Sequence, residues 1–364
     1  MSERISGRIV TPDGVVEGAL HLDGDRIGSV EPGPAADRWV LPGFVDIHNH
    51  GGGGFTFTTG DAAQARQAAA FHLRHGTTTM LASLVSSPFE LMRDAVLAYA
   101  PLVAEGVLAG VHFEGPYLSH ARCGAQNPAF LRDPSLDELT EILKLADGAL
   151  RMVTIAPERA GAMDAIRLLV EHGTVAAVGH TDGSYAEVMA AVEAGATVGT
   201  HLFNGMRPVH HREPGPIVAL LDSPTVVCEL VADGVHLHDG TLAYVAHSAG
   251  TARSALITDA MTAAGMPDGE YDLGGLTVTV ADRVARLAGG SIAGSTLTMD
   301  AAVRQALGAG LSITDVAAMA ATTPARAIGL ADDLGALRPG LRADLVELDA
   351  EVRVVRVMKS GEWI

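Results

Sequence analysis

From about residue 41 to 330 the chain alternates short strand-like runs with amphipathic helical segments, and that alternation leaves few folds open. The strand candidates are 41–47, 77–85, 107–115, 150–157, 174–180, 197–203, 225–232 and 254–259. Helical periodicity fills the gaps between them, as in Asp61–His75 and Pro88–Glu105. Two helix starts carry capping-box spacing: Ser87-Pro88-Phe89-Glu90, with proline at the first helical position, and Ser184-Tyr185-Ala186-Glu187. Parallel strands need crossover helices, so eight such units predict an α/β fold, a parallel (β/α)8 TIM-like barrel. The stretch 261–290 breaks the alternation, and Tyr271–Val280 with Val284–Leu287 predicts an inserted hairpin. Helices over 299–308, 313–321 and 324–329 then close the barrel.

The two ends read differently. Residues 1–40 offer Arg8–Val10, Val15-Val16, Ala19–Leu22 and Arg26–Val30, separated by the turn signals Pro12-Asp13-Gly14 and Asp23-Gly24. That is too little β structure for a core of its own. The end of the chain, Ala343–Asp349 and Val352–Met358, has the same character. The two ends are therefore expected to pair into one small β-sandwich domain, 1–40 with 335–364, around a barrel spanning 41–334.

Composition narrows the partners. A net charge of −18 disfavours nucleic acid and anionic membranes. Two cysteines, Cys123 and Cys228, make no disulfide framework. The N-terminal residues precede no long apolar run, so no signal peptide and no membrane span are expected, and a cytoplasmic location is the expectation.

The chemistry lies where the strands end, because barrels of this type place reactive groups at the carboxyl ends of their strands. Strand one runs Phe44-Val45-Asp46-Ile47 into His48-Asn49-His50, and side-chain alternation sends both imidazoles to one face. Gly51–Gly54 follow, allowing a tight turn and room for a ligand. Strand three ends in Glu114, strand five in His180, strand six in His201 and strand eight in Asp259. A lone polar strand end is ordinarily structural; five strands ending this way point to a metal site. Nitrogen and carboxylate donors without thiolate suit zinc, with iron, manganese or cobalt as alternatives. Glu114, His180 and His201 can hold one divalent ion with a position open for water. His48 and His50, sharing Glu114, can hold a second.

Pro42-Gly43-Phe44-Val45-Asp46-Ile47-His48-Asn49-His50, the later ligands and the terminal Gly340–Val346 segment resemble the amidohydrolase superfamily. Some of its branches bridge two metals with a carbamylated lysine. The only lysines here, Lys144 and Lys359, lie at no barrel strand end, so Glu114 is left as the bridge. The motifs His112–Pro116, Gly179–Thr181, His201–Met206, Arg212–Gly215, Ala232–His236, Thr258–Ala260 and Ala293–Met299 resemble the branch that deacetylates phosphorylated amino sugars.

The resemblance implies hydrolysis of the acetamido group of N-acetylglucosamine 6-phosphate. It assigns Glu114, His180 and His201 to the catalytic metal, His48 and His50 to a second site, and Asp259 to general base and then general acid. Ala125, Gln126, Asn204, Gly205, Arg212, His236 and the segment Ile292-Ala293-Gly294-Ser295 would hold the sugar phosphate. Arg212 is implied to reach a neighbouring active site, hence a homodimer. Gln126 departs from the branch, where a histidine is common; it can donate a hydrogen bond but cannot titrate. Cys123 beside Arg122 is either a thiol activated by a nearby cation or an inert loop residue. Rival readings are another amidohydrolase, such as a dipeptidase or nucleobase deaminase, and a non-catalytic metal- and sugar-binding protein.

Overall fold

The computed structural model describes residues 3–364. Eight parallel strands form one sheet in sequence order: Phe44–Asp46, Thr77–Leu84, Gly110–Glu114, Leu150–Ile155, Val175–Val178, Val198–Gly199, Val227–Val231 and Ser254–Ile257. Nearly all their residues are buried, as a parallel sheet covered by helices requires. Beyond the regular ladder, strands one and eight are joined by the Asp259 N–H donating to His48 O (2.9 Å) and the His50 N–H to Ala260 O (2.7 Å). Asp46 reinforces this seam. Its buried carboxylate accepts from Thr258 Oγ1 (2.6 Å), Thr258 N (3.2 Å) and Asn49 Nδ2 (2.9 Å). These contacts close the seam at the end of the barrel that carries the histidines.

The expected strand 41–47 is two strands. Trp39–Pro42 pairs with Leu345–Leu348 and with Arg4–Thr11, whereas Phe44–Asp46 enters the barrel. The break falls at Gly43, where a Cβ would stand 2.3 Å from Thr78 Oγ1. Both chain ends build a seven-stranded sheet in the order Glu362–Trp363, Val354–Lys359, Leu345–Leu348, Trp39–Pro42, Arg4–Thr11, Gly14–Asp23, Arg26–Pro32. Ile5, Ile9, Leu20 and Ile27 from one end pack with Leu341, Leu345 and Met358 from the other. Neither end has these partners alone.

Other expectations change in detail. Ser184 and Glu187 form the capping box, but Ser87 does not cap: its hydroxyl donates to Val85 O (2.8 Å), and the helix Phe89–Ala104 starts from Pro88 without a side-chain cap. The segment 261–290 holds three strands rather than a hairpin: Gly269–Leu273, Leu276–Ala281 and Val284–Leu287. Gly274 and Gly275, at φ +57° and +83°, make a tight turn where a single strand was expected. The strand expected over 197–203 stops at Gly199, and His201 and Phe203 turn through positive φ. Ile313–Ala327 is one helical run with a π-turn at Ala318–Thr322. Among the described residues, no helix is long and apolar enough to cross a membrane.

Candidate active site

Six side chains from five barrel strands meet at the carboxyl end of the barrel. Glu114, His180 and His201 form one group of possible metal ligands, and His48, His50 and Asp259 form a second. Glu114 lies between them. Its Oε1 is 3.0 Å from His180 Nε2 and 2.8 Å from His201 Nε2, while Oε2 faces His50 Nε2 at 3.3 Å. The strand alternation expected for His48 and His50 is met: their Nε2 atoms are 3.1 Å apart.

The opposite ring nitrogens explain why these groups converge. His180 Nδ1 lies 2.8 Å from Arg122 O, His201 Nδ1 3.1 Å from Asn204 O, and His50 Nδ1 3.1 Å from Ser83 O. His48 Nδ1 lies 3.0 Å from Glu229 Oε2. Carbonyl and carboxylate oxygens only accept, so each Nδ1 carries a hydrogen, and each Nε2, once its own proton is lost, turns a lone pair inward. Lone pairs 3.1 Å apart, as at His180 and His201, repel unless a cation or shared proton lies between them. A tetrahedral zinc ion with bonds of roughly 2.0–2.1 Å wants donors about 3.3 Å apart. The observed 2.8–3.1 Å spacing needs only small rotations to match. The residues fit a divalent ion.

Electrostatics agree. Burial pushes the Glu114 carboxyl up, but the charges of His48 and His180 outweigh it and hold it well below the usual range. Burial likewise raises Asp259, yet the His50 hydrogen bond and the His48 charge hold it at about 2. The His50 imidazole is lowered by burial and raised more by Asp259 and Glu114, to about 9. The buried carboxylates thus remain ionised and draw cations inward. Three of the six converging residues also adopt the left-handed region: His180 at φ +46°, His201 at +24° and Asp259 at +49°. Such backbone persists where the surroundings over-determine it, typically at functional sites.

These groups floor a cavity of about 250 Å³. Of the residues expected to bind substrate, Ala125, Gln126, Asn204, Gly205, His236, Ile292 and Gly294 line it. Three of the expected residues have other partners. Gln126 is committed elsewhere: its Nε2 donates to Glu114 Oε2 (2.6 Å) and its Oε1 accepts from Ser86 N (2.7 Å). Ala293 packs in an apolar cluster with Val85 and Met261. The Ser295 hydroxyl donates to Thr258 O (2.6 Å). Arg212 is exposed, off the cavity, with Nη1 2.7 Å from His211 Nε2. Arg122, which one of the two readings of Cys123 had acting on that thiol, donates from Nε to Asp182 Oδ1 (2.8 Å).

His236 is more than a loop histidine. Its Nδ1 hydrogen-bonds Asp233 Oδ2 (2.7 Å), leaving Nε2 3.8 Å from Asp259 Oδ2 at the cavity wall. Sequence reasoning missed Asp233, and it missed Glu229 on strand seven. A lone acid inside the apolar run Val226-Val227-Cys228-Glu229-Leu230-Val231 was the available signal.

The profile of the amidohydrolase family matches residues 39–364, and the chain belongs to that family. The structure superposes on an N-acetyl-D-glucosamine-6-phosphate deacetylase from Mycobacterium smegmatis, an aspartate-to-alanine mutant solved in complex with N-acetyl-D-glucosamine-6-phosphate. The TM-score is 0.96 at 44% identity, covering 100% of this chain and 99% of the other. An N-acetylglucosamine-6-phosphate deacetylase from Lysinibacillus sphaericus is 33% identical over 94% of this chain and 89% of its own length. An N-acetylgalactosamine-6-phosphate deacetylase from Escherichia coli O157:H7 is 35% identical, over 98% and 97%.

The raised His50 value fixes the sign of a pH effect. Below about pH 9 the metal-free imidazole holds a proton that an ion must displace. Zinc uptake at pH 7 is therefore expected to release protons, and apparent affinity to rise with pH until about 9. Calorimetry in buffers of different ionisation enthalpy counts those protons; uptake without proton release contradicts this electrostatic picture.

Proposed function

We propose that this chain is a metal-dependent deacetylase that hydrolyses the acetamido group of N-acetyl-D-glucosamine 6-phosphate, releasing acetate and D-glucosamine 6-phosphate. The observation that carries the reading is the pair of ligand groups sharing Glu114 at the floor of the cavity. The relatives that act on phosphorylated N-acetyl amino sugars supply the substrate class. In this reading 41–334 is the catalytic barrel, and 1–40 with 335–364 form the small β domain. A cytoplasmic location suits a phosphorylated substrate.

Glu114, His180 and His201 would hold the catalytic ion, with His48 and His50 at a second position; zinc suits the donors best, iron, manganese and cobalt less well. A divalent ion supplies Lewis acidity toward the acetyl carbonyl and lowers the pKa of water. Asp259, ionised and at the cavity floor, accepts the proton of the attacking water and returns it to the departing amine nitrogen. Amide and water thereby give acetate and amine with no further reactant. His236, its Nδ1 tied to Asp233, directs Nε2 toward the substrate beside Asp259.

The phosphate requires a second chain in this reading. Among the described residues, no arginine or lysine lines the cavity. Arg212 is exposed and off its own cavity, which leaves its planar fork free for the phosphate of a neighbour in this reading. A homodimer follows.

Two variants test these roles. Asp259→Asn is expected to lower kcat by about 10²–10⁴-fold while leaving substrate binding intact; wild-type turnover rules out the proton role. Arg212→Ala is expected to raise KM for the phosphorylated sugar by at least about tenfold, from the loss of roughly 1.5–3 kcal/mol of charged hydrogen bonding. An unchanged KM removes Arg212 from the phosphate site.

A further inference from the structure

Glu229, like Asp46, is a fully buried carboxylate beside the ligand cluster that coordinates nothing in the roles above. It sits on the seventh barrel strand, 0% exposed. Its Oε2 accepts from the His48 ring at Nδ1 (3.0 Å) and from the His201 backbone N–H (3.1 Å). Its Oε1 has no hydrogen-bond partner. Leaving a buried carboxylate oxygen unpaired is costly, and a core built only for packing would replace the residue.

Two consequences follow from the position. The bond to His48 fixes the tautomer whose Nε2 lone pair faces His50 and Asp259, and a carboxylate behind an imidazole makes it a more basic ligand. The bond to His201 N holds the turn at φ +24° that carries a ligand of the other group. One carboxylate thus touches both halves of the centre. The charges argue in the same direction. Glu114, Asp259 and Glu229 are buried together, and among the described residues no arginine or lysine lies within 4.0 Å of any of them.

From this placement we infer that Glu229 is a positioning residue that orients His48 as a ligand of the second position, so that retention of an ion by His48, His50 and Asp259 depends on it. The inference rests on the metal reading given under Proposed function. It concerns how the chain holds the second ion, not the chemistry of turnover.

Zinc titration of metal-free protein against a chromophoric chelator tests it, with thermal unfolding of each metal-free variant as a check on folding. Wild-type protein is expected to bind about two ions per subunit. Glu229→Ala is expected to weaken the second ion by about 10–100-fold and the first by less, because the His201 ring keeps its own anchor at Asn204 O. Glu229→Gln keeps an acceptor for His48 but loses the charge, so it should fall between the two. If Glu229→Ala fails to fold, Glu229→Gln alone decides: a weakened second ion supports the role, and wild-type affinity overturns it. Equal weakening of both ions, unchanged binding of both, or a wild type that takes one ion also overturns it. Those results leave the deacetylase reading standing; a wild type that binds no zinc sinks both.

Discussion

The structure depends on how the first and last barrel strands are held together. Asp46 at the end of strand one bonds to Thr258 at the end of strand eight, and the backbone continues the seam through His48, Asp259, His50 and Ala260. That seam brings the His-x-His pair and the aspartate to one place, although some 210 residues of chain separate Asp46 from Thr258. Without it, His48, His50 and Asp259 would belong to opposite edges of an open sheet. The long sequence separation is the reason the middle of the chain must form a closed barrel before the site exists.

A second constraint is electrostatic. The centre buries carboxylates that stay ionised, in a protein whose net charge is already −18. Imidazoles with raised pKa values can balance them by holding protons, and a divalent ion can take the place of those protons. Anchoring each Nδ1 to an acceptor settles which ring nitrogens compete for the ion. In the proposed reading, Arg212 of a second subunit would supply the cation for the sugar phosphate.

Much of this was legible in the sequence, for definite reasons. Short apolar runs alternating with helical periodicity exposed the eight strand–helix units, and polar residues capping those runs exposed His48, His50, Glu114, His180, His201 and Asp259. The pairing of the chain ends followed from two stretches of β structure that lacked a core. What sequence could not supply was side-chain direction. Gln126 looked available to substrate, yet both ends of its amide are taken by Glu114 and Ser86. Ser295 looked like a phosphate ligand, yet its hydroxyl secures Thr258 O. Glu229 lay hidden because a single acid in an apolar strand carries no periodicity. Gly43 and the Gly274-Gly275 pair broke expected strands because steric fit and turn type, not hydropathy, decide there.

The most direct test of the account is acetate release from N-acetyl-D-glucosamine 6-phosphate by metal-depleted protein and by the same protein restored with zinc, run beside the unphosphorylated sugar and the galactosamine epimer. The account predicts release from the glucosamine phosphate only after zinc is restored, with little from the unphosphorylated sugar. Preference for the galactosamine phosphate would redirect the substrate within the same chemistry. No release from any of the three by the zinc-restored protein would contradict the central claim.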